Sequence, residues 1–144
     1  MTRTPAPPAT PALAGVRYLV DDVDAALAFY TGALGFDLRV DARPAFAEVV
    51  RGPLRLLLSG PASTAGRPTP DGRVPGPGGW NRIHLVVDDL AAELTRLAAT
   101  GVVPRTEPVS GPGGRQVLLE DPSGNRLELF QPAGRPPGAE VERP

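Results

Sequence analysis

The sequence predicts an α+β fold made of two tandem βαβββ modules, and three observations carry that expectation. The chain repeats itself: GVRYLVDDVDAALAFY at 15–30 and RIHLVVDDLAAELTRL at 82–97 share a strand-like run, an Asp-Asp pair and an amphipathic segment. Three further short strand-like runs follow each amphipathic segment. Gly (17 in all) and Pro (19) crowd into the first dozen residues, the stretch 60–79 and the end 132–144, leaving the periodic segments largely intact. The expected layout is a flexible arm over 1–13, a first module over 14–61, a Pro/Gly-rich linker over 62–79, a second module over 80–132 and a disordered tail over 133–144.

Each module opens on a run of alternating residues rich in β-branched and aromatic types, VRYLV and RIHLVV, which reads as a strand. Asp22 and Asp89 then stand where an N-cap is wanted, because a short carboxylate accepts the backbone N–H groups that open a helix. Val23, Leu27 and Tyr30 or Ala26 make an apolar stripe on the first helix, and Leu90, Leu94 and Leu97 make one on the second. Gly35 and Gly101 are placed for the left-handed turn that ends a helix. The strands expected afterwards are DLRVDA, FAEVVRG and LRLLLSG in the first module, and VVPRTEP, RQVLLED and RLELFQP in the second.

Composition excludes several function classes. Lys+Arg 15 against Asp+Glu 16 gives a net charge of −1, so nothing draws the chain toward nucleic acid or anionic lipid. With no cysteine there is no disulfide, thiol nucleophile or thiolate metal site. No run approaches the ~20 apolar residues of a membrane span, and the N-terminus lacks an apolar signal segment. The expectation is a cytoplasmic protein. GPGG at 76–79 and 111–114 lacks the lysine and the strand-to-helix setting of a phosphate cradle, and there is no G-x-S-x-G elbow.

The duplicated βαβββ pattern, the DDVDAALAFYTGALGF signature and the closing EDPSGNRLELFQP resemble the vicinal oxygen chelate superfamily, the fold of glyoxalase I, extradiol dioxygenases and bleomycin-resistance proteins. The resemblance spans about residues 14–132. It implies two modules whose curved mixed sheets form a cleft, with helices on the outer faces, and a homodimer. It also implies metal-ligand positions on the first and last strand of each module, which fall here on Gly15, Leu57, Arg82 and Glu128. Only Glu128 has a donor fit for a metal, since a guanidinium has no lone pair to offer. One histidine also rules out the 2-His-1-carboxylate site of Fe(II) extradiol chemistry.

Side chains alternate along a strand, so Arg82, His84 and Val86 share one face while Ile83, Leu85 and Val87 share the other. The aliphatic face should meet the helix, which turns His84 inward. The same parity turns inward Gly15 and Arg17 on the first strand, Glu48, then Arg55, Leu57 and Ser59, then Gln116, and finally Arg126, Glu128 and Phe130. His84, the only histidine, is then a ring satisfied by a neighbouring strand, a ligand contact or acid/base, or a metal ligand with Glu128 and Glu48. Arg17, Arg55 and Arg82 would repel a dication. Trp80, after GPGG, either caps the cleft or anchors its loop. The DPSGN segment at 121–125 reads as a turn. The expected function is a small-molecule-binding protein that sequesters a natural product without the usual metal site, with Arg17, Glu48, Arg55, Leu57, Trp80, Arg82, Gln116 and Phe130 as ligand contacts and no cofactor. The alternative is an enzyme of the same fold, a lyase, isomerase or dioxygenase-like protein. It would use His84 and Glu128 as acid/base or as ligands of a divalent metal.

Overall fold

The computed structural model describes residues 14–134, so the expected arm over 1–13 and most of the expected tail lie outside the described residues. Two compact units divide between Pro77 and Gly78, and each holds one βαβββ module. The α+β expectation and the duplication are therefore both met.

In the first unit, β1 (Val16–Leu19), α1 (Val23–Gly32), β2 (Asp37–Ala42), β3 (Phe46–Arg51) and β4 (Leu54–Ser59) follow in chain order. The sheet order is β1-β4-β3-β2, with β1 parallel to β4 and the other pairs antiparallel. Asp22 caps α1 by accepting from the Ala25 N–H at 3.1 Å. Helix α1 then buries Val23, Ala26, Leu27 and Tyr30 over the sheet face carrying Ala47, Val49, Leu56 and Leu58, all four fully buried. Each large apolar side chain removed from water in this way contributes roughly 1.5–3 kcal/mol. Tyr30 meets Phe36 edge to face at 5.4 Å. Gly35 takes φ +72, as expected, but one residue later than a simple cap, because the helix closes at Ala33.

In the second unit the elements are β5 (Arg82–Val86), α2 (Leu90–Ala99), β6 (Val109–Gly111), β7 (Gly114–Glu120) and β8 (Arg126–Pro132), with sheet order β5-β8-β7-β6. Asp89 caps α2 through the Ala92 N–H at 3.0 Å. Gly101 (φ +86) ends it, with the Gly101 and Val102 N–H groups donating back to Ala98 and Leu97, the hydrogen-bond pair of a Schellman cap. Leu90 and Leu97 are fully buried and Leu94 partly so, over a face of Ile83, Leu85, Val117, Leu119, Leu127 and Leu129. The strand expected at 102–108 does not form. Pro104 and Pro108 bring no N–H to a ladder, and the pairing strand is the short β6 that follows.

Candidate functional site

The parity argument holds in both units: one face of each sheet is aliphatic and helix-covered, and the open face carries the polar side chains. On the open face of the second unit, parallel register sets His84 beside Glu128 and Arg82 beside Arg126. Glu128 is 7% exposed, and its two oxygens have different partners. Arg82 Nε donates to Oε1 at 3.0 Å, and His84 Nε2 lies 3.5 Å from Oε2, too long for a strong hydrogen bond. The half-exposed imidazole leans on Phe130, with ring centroids 4.9 Å apart and a 37° tilt. Gln116 stands opposite Phe130 across β7 and β8.

Trp80 is anchored on one side. The Arg126 guanidinium lies 3.8 Å from its ring centroid, a cation–π contact, while the rest of the indole stays open, with the residue 72% exposed. Arg126 also donates to the Gly79 carbonyl, and the Asn125 side chain accepts from the Gly78 N–H at 2.8 Å. Asp121 in turn accepts from the Ser123 and Asn125 N–H groups and from the Asn125 amide. The 121–125 turn is thus structural, as expected, and it also ties down the segment leading to Trp80, a role the sequence did not disclose.

On the open face of the first unit, Glu48 (4% exposed) is the central carboxylate. Arg55 grips both of its oxygens, Nη2 at 3.0 Å and Nε at 3.1 Å. Arg39 Nε approaches at 3.4 Å. Hydrogen bonding from Arg55 holds the Glu48 carboxyl below its ordinary value of 4.5, against the opposing effect of burial, and Arg39 adds a weaker pull. Arg39 was missing from the sequence candidates because the register of β2 shifts between Leu38 and Val40. A bulge of that kind changes which side chains share a face and leaves no periodic signal. Arg17 donates to the hydroxyl of Ser59 at 2.9 Å. A cavity of about 350 Å³ is lined by Arg17, Phe46, Leu57, Ser63, Thr64 and Ala65. Phe46 and the 63–65 turn were also not among the candidates.

The side chains present do not fit the metal that the superfamily resemblance implies. Of its four positions, Gly15 and Leu57 carry no donor atom, and Arg82 places a cation on the remaining ligand, Glu128. Among the described residues, no three His, Asp or Glu side chains gather as metal ligands. What the two faces do offer is a set of fixed guanidinium groups, two buried carboxylates, an imidazole and several partly open aromatic and aliphatic side chains. These are groups suited to orienting an organic molecule.

The chain is similar to several solved structures. TnmS3, an antibiotic binding protein from Streptomyces sp. CB03234, is 29% identical with a TM-score of 0.66, over 83% of this chain and 93% of that one. A lactoylglutathione lyase from Agrobacterium tumefaciens is 26% identical with a TM-score of 0.63, over 85% and 95%. A member of the Glyoxalase/bleomycin resistance protein/dioxygenase superfamily from Sphaerobacter thermophilus DSM 20745 is 29% identical with a TM-score of 0.64, over 81% and 94%. Among curated proteins none matches the chain. The family model for Glyoxalase/Bleomycin resistance protein/Dioxygenase matches residues 12–129, and the chain belongs to that superfamily.

Proposed function

We propose that this protein binds and sequesters a small organic molecule, a natural product of the kind for which antibiotic-binding relatives exist, and that it does so without a metal. The observation that carries this reading is the Arg82–Glu128 pair. The one superfamily ligand position that keeps a metal donor is engaged at 3.0 Å by a guanidinium from another of those positions. Oε1 of that carboxylate is thus already occupied by a protein cation, and a dication would have to displace that cation against repulsion. The similarity to an antibiotic binding protein at 29% identity supports the same reading, while the similarity to a lactoylglutathione lyase keeps the enzyme alternative in view. In that alternative His84, half-exposed beside Glu128, is the acid/base. We also infer a homodimer acting in the cytoplasm; light scattering on the purified chain should give twice the monomer mass.

The test is a titration of metal-free protein with a panel of aromatic and anionic natural products, followed by Trp80 fluorescence, with product analysis in parallel. Trp80 is the only tryptophan, so the emission comes from a single residue of the second unit. Saturable binding with the ligand recovered unchanged is the expected result. Turnover that disappears in His84→Ala would replace sequestration with catalysis.

A further inference from the structure

The two modules carry equivalent four-residue blocks on their open faces, and the two blocks differ in charge balance. In the second module the block is His84, Glu128, Phe130 and Gln116, joined by register across β5, β8 and β7. In the first module the same register joins Arg17, Leu57, Ser59 and Phe46 across β1, β4 and β3. Glu128 supplies a carboxylate beside His84 in the second block, but its counterpart in the first block is Leu57. The other carboxylate on that face, Glu48, is already held by Arg55 and Arg39. Among the described residues Arg17 has a hydroxyl for a partner and no carboxylate within ion-pair distance.

That hydroxyl fixes Arg17 in place, because Ser59 is fully buried. One of the five guanidinium N–H groups is used on Ser59, and because Arg17 is exposed the others are open to solvent or to a ligand. Arg17 lines the cavity of about 350 Å³ together with Phe46, Leu57, Ala65 and the exposed Thr64. Ser63 offers no free donor there, since its hydroxyl donates to the Gly60 carbonyl and also accepts from the Gly66 N–H. The volume lies within the range of small-ligand pockets. The combination of one cation, an apolar wall and no internal counter-ion suits a ligand with the opposite arrangement.

We propose that this pocket in the first module binds an amphipathic organic anion. Its carboxylate pairs with Arg17, filling the role that Glu128 fills in the second module, and its apolar body lies on Phe46 and Leu57. The proposal rests on the small-molecule-binding reading above and gives it a ligand class and a place.

The experiment uses the full chain, labelled for amide NMR, with 2-naphthoate as the probe and 2-naphthamide as its neutral isostere. Saturable shifts are expected at the Phe46, Ser63, Thr64 and Ala65 amides with naphthoate, and binding about tenfold weaker or worse with naphthamide, as for loss of one charge-assisted pair. Arg17→Gln should lose about the same factor while keeping the dispersion of a folded spectrum. If that variant does not fold, the acid and amide compared on the unaltered chain decide the matter alone. Equal binding of acid and amide, or no saturable shift at these amides, overturns the pocket. Shifts confined to 80–86 and 126–130 that survive Arg17→Gln would also overturn it, while leaving the small-molecule reading standing.

Discussion

Glu48 shows how a single side chain organises an open sheet face. Buried, with hydrogen bonds from Arg55 to both oxygens, it keeps its proton affinity below that of an ordinary glutamate. A carboxyl whose folded value is depressed stabilises the fold above its unfolded value, and that contribution is lost as pH falls through the folded value. Acidification from pH 5 to pH 3 should therefore lower urea stability, and Glu48→Gln should flatten part of that slope while costing about 1–3 kcal/mol at pH 7. An unchanged slope in the variant would remove Glu48 from the account. At this scale the sequence was legible wherever strict alternation held: His84, Glu128, Arg82, Gln116, Phe130, Glu48 and Arg55 all stand on the faces that parity assigned. It was not legible where the register slips, which is why Arg39 appeared only with the structure.

The elements form where local chemistry and packing agree. Asp22 and Asp89 cap their helices through the N–H three residues on, and both could be read from one short polar residue before an apolar stripe. Asp89→Ala should cost about 1 kcal/mol in urea denaturation without altering the folded spectrum; a loss below a few tenths would mean that the cap is idle. Turns that depend on close approach leave less trace. A Cβ at Gly66 would come within 2.3 Å of the Gly60 carbonyl, so only glycine lets the chain fold back to present Ser63, Thr64 and Ala65 to the cavity. Gly66→Ala should displace that turn, with amide shifts spreading through 60–66. In the second module, prolines at 104 and 108 moved the edge strand to Val109–Gly111, which a pattern of apolar residues alone does not reveal.

At the scale of the whole molecule, the repeat was the strongest signal in the sequence, and it becomes two βαβββ units of matching strand order. Duplication explains why equivalent positions can be compared, and the metal-free reading proposed above rests on that comparison. The superfamily resemblance sets Gly15, Leu57 and Arg82 where donors would be needed, and at the fourth position Glu128 accepts from Arg82. The fold was legible because hydrophobic periodicity specifies it. Function was less so, because one scaffold hosts many chemistries and the pairing of side chains decides among them. The most direct measurement of the central claim is metal content by mass spectrometry after equilibration of untagged protein with Zn²⁺, Mn²⁺, Fe²⁺ or Ni²⁺ and removal of excess ion. The account predicts well under one equivalent of each. One equivalent per chain, lost in Glu128→Ala, would contradict it.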